Sequence, residues 1–164
     1  MQARMRQASL FAAVGVAMVV VVGGAALAQS SNTSIGTWKM NVAKSTAKSG
    51  SVNKSGTTKI EAASAGVKVT VDGVDADGTV RHWEFTGNYD GKDNPITGNA
   101  SQGDMVALTR VDANTTRNIY KKGGKVTVTQ TAVVSTDGKT RTNSAKGTNA
   151  LGKTVDSVTV YDKQ

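Results

Sequence analysis

The chain has 164 residues, with twenty Lys or Arg against twelve Asp or Glu, a formal charge of +8 at neutral pH. It contains no Cys, a single His and a single Pro. Those counts exclude disulfides, thiol nucleophiles, thiolate metal sites, multi-histidine metal sites and a lipid-modified N-terminal cysteine.

The first 28 residues set the expected address. Met1–Gln7 carries Arg4 and Arg6 without an acid, and Leu10–Ala28 (LFAAVGVAMVVVVGGAALA) is almost wholly apolar. The run closes on Ala26-Leu27-Ala28, whose small outer side chains fit the shallow pockets of a signal peptidase. This pattern predicts a signal peptide over 1–28, cleaved before Gln29, and a periplasmic or secreted protein. The rival is an uncleaved inner-membrane anchor, since the run is about long enough to cross a bilayer. Against the anchor, Gly23 and Gly24 interrupt the run and no basic cluster follows it directly.

Removing 28 of the 164 residues leaves 136, one domain's worth and enough to bury a core without covalent cross-links. Arg4 and Arg6 leave with the leader, so 18 basic and 12 acidic side chains remain, a charge of +6. The lysines are scattered, with no block of five or six, which reads as a solubilising surface. No nucleic-acid partner and no stable membrane span after cleavage are expected.

Residues 29–34 are polar and read as a disordered lead, followed by one domain over 35–164. Within it, short runs rich in Val, Thr and aromatics alternate with Gly/Asp/Asn punctuation, which predicts strands. In chain order these are Ile35–Asn41, Thr57–Ala63, Val67–Asp72, Val80–Tyr89, a short Ile96–Thr97, Met105–Val111, Thr115–Lys121, Lys125–Ser135, Lys139–Lys146 and Thr154–Lys163. Asp77-Gly78, Asp90-Gly91, Gly123-Gly124 and Asp137-Gly138 place Gly where tight hairpins need positive φ. Pro95 is expected at a strand start or in a loop, where its missing N–H does no harm. Val42–Gly56 (VAKSTAKSGSVNKSG) is the longest connection and reads as a mobile loop or edge flap.

Alternation within these runs assigns faces. Val67, Val69 and Val71 share one face; Trp83, Phe85 and Tyr89 share another, with His82 and Glu84 opposite; Val126, Val128, Ala132 and Val134 share a third. Such alternation fits an antiparallel sheet with one wet side. Lys139–Lys146 (KTRTNSAK) has no apolar face, so its inward side must meet a polar cavity or water. A meander of about ten short strands must hide its edges, by closing into a barrel or by forming a two-sheet sandwich. Aromatics make up 4% of the residues and large aliphatics are few, which suits a barrel with a partly solvated interior better than a filled sandwich.

The chemistry-bearing residues are sparse. His82 has no nucleophile elbow to serve, because no Gly-x-Ser-x-Gly motif is present. His82 and Glu84 share a strand face and form a two-ligand corner at most. Asp75-Ala76-Asp77-Gly78 with Glu84 imitates part of a calcium loop, but Gly73 stands at the first ligand position and the flanks read as strands. Gly123-Gly124-Lys125 is too short for a phosphate loop. No metal or cofactor is expected and no catalytic residue is assigned. Trp38, Trp83, Phe85, Tyr89 and Tyr120, with Arg110 and Arg141, are the candidate lining of a ligand cavity, or the scarce core and plug residues of a small barrel.

The domain opens Ile35-Gly36-Thr37-Trp38-Lys39-Met40 and closes Val158-Thr159-Val160-Tyr161-Asp162-Lys163. It resembles a group of small exported bacterial proteins that share a Gly-Thr-Trp-Lys-x-Asn-x-Ala-Lys-Ser opening, here Gly36 to Ser45, and a Tyr-x-Lys close. It also resembles, more weakly, the lipocalin and fatty-acid-binding superfamily, the calycins, whose barrels open with a Gly-x-Trp strand. That resemblance implies an up-and-down barrel, a Trp38 plug at one end and binding of a small lipophilic or amphipathic molecule. Fatty-acid binders hold the carboxylate with an Arg-x-Tyr pair in the last strands; here Tyr161 matches and the Arg position is Thr159. They also place a helical lid after the first strand, for which Val42–Gly56 is too short.

These readings converge on an all-β, calycin-like barrel, with a sandwich as the alternative, preceded by a signal-peptide helix. The expected role is non-enzymatic binding of a small lipophilic or amphipathic ligand. The alternative is a structural or interaction protein of the cell envelope with no ligand cavity.

Overall fold

The computed structural model describes residues 32–64 and 66–164; the expected signal peptide lies outside them. Among the described residues there are eleven strands and no helix: β1 (Gly36–Ser49), β2 (Ser55–Ala63), β3 (Gly66–Val74), β4 (Val80–Gly87), β5 (Asp90–Pro95), β6 (Thr97–Gly98), β7 (Met105–Arg110), β8 (Thr115–Lys122), β9 (Lys125–Val134), β10 (Thr140–Thr148) and β11 (Thr154–Lys163). They form one antiparallel sheet in the order β5-β7-β8-β9-β10-β11-β1-β2-β3-β4-β6. The sheet is wrapped into a nearly closed barrel and does not split into a sandwich. The first strand pairs with the last, Trp38 opposite Lys163 and Met40 opposite Tyr161, as well as with β2, Trp38 opposite Thr58.

The two free edges meet at a seam made from a single run of chain. Its first part, β5, pairs with β7 (Asn94 opposite Val106), and its second part, β6, pairs with β4 (Trp83 opposite Gly98). The short strand expected at Ile96–Thr97 is found as β6, one residue further on, and β5 before it was not expected; Ile96 lies between the two, where the run changes partner. Pro95 closes β5, and Ile96 N–H resumes the backbone bonding to Asp104 O at 2.9 Å. Asn99 extends the β4 ladder with its side chain: Oδ1 accepts from His82 N–H at 2.7 Å, and Nδ2 donates to Val80 O at 2.8 Å. Close approach at the seam requires glycine. A Cβ on Gly98, which has φ +93°, would lie 2.2 Å from His82 O, and one on Gly87 would lie 2.7 Å from Asn94 Cγ and 3.0 Å from Leu108 Cδ1.

Two local expectations are corrected. Val42–Gly56 is not a loop: β1 runs on to Ser49, β2 starts at Ser55, and only 50–54 connects them. The pairing of β1 with β11 shifts between Asn41 and Thr46. Within this bulge Ser45 Oγ donates to Asn41 O at 2.7 Å and accepts from Val160 N–H at 3.0 Å. A hydroxyl stands in for a missing backbone partner, so a polar, low-propensity stretch stays in the ladder. Asp90-Gly91 is likewise a bulge within β5, where the register shifts between Asp90 and Asp93, whereas Gly78, Gly123-Gly124 and Gly138 occupy hairpin connections.

The inward side chains form the core: Trp38, Ile60, Val67, Val69, Trp83, Phe85, Val106, Leu108, Tyr120, Val128 and Val134. One end is closed by Trp38, which is fully buried and donates Nε1–H to Ser34 O at 2.8 Å, with Lys163 Nζ 5.1 Å above its ring. Asn32–Ser34, expected within a disordered lead, instead tie down this end. Asn32 Nδ2 donates to the Tyr89 hydroxyl at 3.1 Å, Thr33 Oγ1 donates to Ala113 O at 3.1 Å, and Ser34 is buried. The opposite end carries the β1–β2, β3–β4 and β10–β11 connections and forms the mouth.

Candidate functional site

The barrel interior holds a cavity of about 110 Å³, which adjoins a wider space of about 530 Å³ at the mouth. Met40, Tyr120, Gln130 and Tyr161 border both. The inner cavity is two-sided, because inward positions differ in chemistry between the two halves of the sheet. β2, β3, β4 and β7 contribute Ile60, Val67, Val69, Val71, Trp83, Phe85 and Leu108, with Thr58, Asp72 and Arg81 as polar members. β8 to β11 contribute Thr116, Asn118, Tyr120, Gln130, Arg141, Asn143 and Tyr161. One wall is therefore mainly apolar and the facing wall hydrogen-bonding.

The aromatic groups are packed against each other across this space. The Trp83 and Phe85 rings stack at 6.2 Å, and Tyr120 meets Trp83 edge-on at 6.3 Å and 87°. These geometries add about 0.5–1.5 kcal/mol per pair beyond burial and fix the ring positions. Tyr120 Oη donates to Gln130 Oε1 at 3.3 Å, and Asn118 Nδ2 donates to the same oxygen at 3.1 Å. Burial raises the Tyr120 hydroxyl to about 12 and also raises Tyr161, so both stay protonated and able to donate at neutral pH.

Arg141 is the unusual member. It lies on β10 opposite Val134 on β9 and Tyr161 on β11, which places it one inward layer from Trp38, near the closed end. Arg141 is 6% exposed, and its Nε has no hydrogen-bond partner in the protein. None of the ion pairs among the described residues includes it. The groups whose charge reaches it are the hydroxyls of Tyr161, Tyr120 and Tyr89, with no Asp or Glu among them; burial pulls its proton affinity down, but a guanidinium remains charged in proteins. Two further interior atoms, Asn118 Oδ1 and Asn143 Oδ1, also lack a partner in the protein. A buried polar atom left in that condition costs about 1–3 kcal/mol, and more when charged. The arrangement can take a negative group at Arg141 and a hydrogen-bond donor at the amide oxygens.

Of the seven candidate lining residues, five border the cavity: Trp83, Phe85, Tyr89, Tyr120 and Arg141. Trp38 instead seals the closed end. Arg110 lies outside the lining, with its guanidinium carbon 4.3 Å from the centre of the Tyr89 ring. The polar wall of Thr116, Asn118, Gln130 and Asn143 was missed. Its signal was present in the alternation of Arg141 with Asn143 and of Asn118 with Tyr120, which places each pair on one face of a strand.

The other constellations resolve into ion pairs and turns. His82 Nδ1 lies 2.7 Å from Asp72 Oδ1, and Glu84 pairs with Lys68 at 2.9 Å, both on the outer surface. Asp75 pairs with Arg81 at 2.8 Å. Asp77 Oδ1 accepts from Thr79 N–H at 2.9 Å, and its Oδ2 lies 3.3 Å from Lys153 Nζ across the mouth. The Thr79 hydrogen bonds, with Lys153 helping, lower the Asp77 carboxyl to about 2. Among the described residues no three His, Cys, Asp or Glu side chains cluster as a metal site would require.

Comparison with family models, with curated proteins and with solved structures gives no match for this chain.

Proposed function

We propose that this protein is an exported, calycin-like β-barrel that holds a small amphipathic molecule in its interior and performs no chemistry on it. The observation that carries the reading is the two-sided cavity. An apolar wall centred on Trp83 and Phe85 faces a hydrogen-bonding wall centred on Arg141 and Tyr161, next to an open mouth. Small-molecule sites combine apolar surface with a few placed polar groups in this way. The export part of the reading rests on the basic, apolar and small-residue pattern of residues 1–28. The non-catalytic part rests on residue types and placement: the chain has no cysteine, and its single histidine is exposed, paired with Asp72, and not among the residues that line the inner cavity.

A neutral hydrophobic fluorophore, N-phenyl-1-naphthylamine, tests the binding reading. Saturable 1:1 enhancement of its emission is expected, with energy transfer from Trp83. Val71→Trp, which fills the cavity from β3, is expected to remove the signal while circular dichroism stays unchanged. Absence of saturable binding by the wild-type protein, together with no co-purified small molecule in native mass spectrometry, would overturn the reading and favour an envelope protein acting through its surface. N-terminal sequencing of the exported protein tests the leader: a start at Gln29 is expected.

A further inference from the structure

We infer that the polar end of the ligand is a neutral polyol, a group with at least two hydroxyls such as a glyceryl or sugar unit, held against the wall formed by β8 and β10. This inference rests on the binding reading above and names the chemistry of its polar end.

Three interior atoms have no partner in the protein: Asn118 Oδ1, Asn143 Oδ1 and Arg141 Nε. All three residues line the cavity and all three are buried. Two of the atoms are acceptors and one is a donor, so the wall asks for more hydrogen atoms than it offers. A hydroxyl meets both needs, because it donates one hydrogen bond and accepts others. An Asn amide turns about a broad terminal torsion, which lets its oxygen swing to meet a donor inside the cavity. Each buried acceptor that finds one is relieved of the cost of standing alone.

The register sets the number of hydroxyls. Arg141 and Asn143 are two residues apart on one face of β10, so a single hydroxyl between them can accept from the first and donate to the second. Asn118 stands on β8, with β9 in between. Neighbouring strands lie about 4.8 Å apart, which puts the β8 and β10 backbones roughly 10 Å from each other. One hydroxyl does not serve both asparagines, so a second is required.

The charges of the lining point to a neutral group. Asp72, Asp75, Arg81 and Arg141 are its charged members, with a formal sum of zero. Asp75 holds Arg81 at 2.8 Å, and Asp72 lies 2.7 Å from His82. An anion would answer Arg141 and leave both amide oxygens without a donor. The Tyr120 hydroxyl already gives its hydrogen to Gln130 Oε1 at 3.3 Å and is not free to serve one. The apolar wall of Ile60, Val69, Trp83 and Phe85 receives the rest of the molecule.

The test compares four probes built on an octyl or octanoyl chain: 1-O-octylglycerol, octyl glucoside, methyl octanoate and octanoate. Each is titrated calorimetrically at neutral pH, below its micelle concentration, into wild type, Asn118→Leu and Asn143→Leu. For wild type, the tighter of the two polyols is expected to bind roughly tenfold more tightly than methyl octanoate, which accepts hydrogen bonds but donates none, and also more tightly than octanoate. Whether that polyol is the glycerol ether or the glucoside identifies the head as open-chain or ring. Each leucine variant keeps the side-chain shape without the acceptor, and is expected to lose most of the preference while methyl octanoate binds as before. Retained methyl octanoate binding is the folding control, and the wild-type ranking decides by itself where a variant does not fold. Methyl octanoate or octanoate binding to wild type as tightly as both polyols, or an unchanged preference in either variant, would overturn the inference and leave the cavity reading intact, with water alone serving the interior polar atoms. Failure of wild type to bind any of the four would overturn both.

Discussion

If Arg141 is kept for a ligand and not for the fold, its removal should strengthen the empty barrel. Arg141→Met preserves most of the aliphatic stem that packs beside Val134 and Tyr161 while deleting the guanidinium, whose Nε has no partner in the protein. Replacing buried ionic groups with apolar side chains of similar volume is often stabilising, by about 1–4 kcal/mol. The lower half of that range is expected here, because Tyr120, Tyr161 and Asn143 remain around the new methionine as polar neighbours. A domain of this size shifts its Tm by roughly 3–5 °C per kcal/mol, so a gain of about 1–2 kcal/mol corresponds to roughly 3–10 °C. Calorimetry and urea denaturation at pH 7, without ligand, measure this directly; the m-value should not change, since the fold buries the same surface. Destabilisation of the ligand-free variant by 3 kcal/mol or more would show that the guanidinium is satisfied within the empty barrel, and would refute the reasoning.

Three further outcomes are expected. Gly98→Val should open the seam, because φ +93° disfavours any β-branched residue and its Cβ would collide with His82 O; a loss of at least about 2 kcal/mol in urea unfolding is expected, with Gly98→Ala less severe. Trp38→Ala should cost about 3–5 kcal/mol by emptying the plug, whereas Trp38→Phe should cost less and leave chiefly Ser34 O without its indole donor, read from the urea midpoint. Asp77, Asp112 and Asp137 all have carboxyls lowered from 3.8 by hydrogen bonds within their turns, Asp77 to about 2. The unfolded chain therefore binds more protons than the folded one between those values. The stability they contribute is complete above the unfolded value and fades as pH falls toward 2. Urea midpoints at pH 6 and pH 2.5 should differ less in Asp77→Asn than in wild type; an equal difference would remove Asp77 from the account.

Much of the fold was legible because strand signals are local. Alternation in Val67–Val71 and in Trp83–Phe85 placed the right side chains inward, and KTRTNSAK was correctly read as needing a polar interior, where Arg141 and Asn143 now stand. The turn glycines 78, 123, 124 and 138 were legible for the same reason, since positive φ is a property of a few adjacent residues. What escaped was non-local. Residues 42–49 look like a loop until Ser45 is seen to bond Val160, which is 115 positions away. The seam at Gly87 and Gly98 depends on distant strands arriving within a Cβ's width of each other. The isolation of Arg141 is likewise a fact of register. The sequence offers twelve carboxylates, and only the pairing of β10 with β9 and β11 decides that the inward neighbours of this arginine are valine and tyrosine. Period-two alternation tells which way a side chain points, but the tertiary closure alone determines what it meets there.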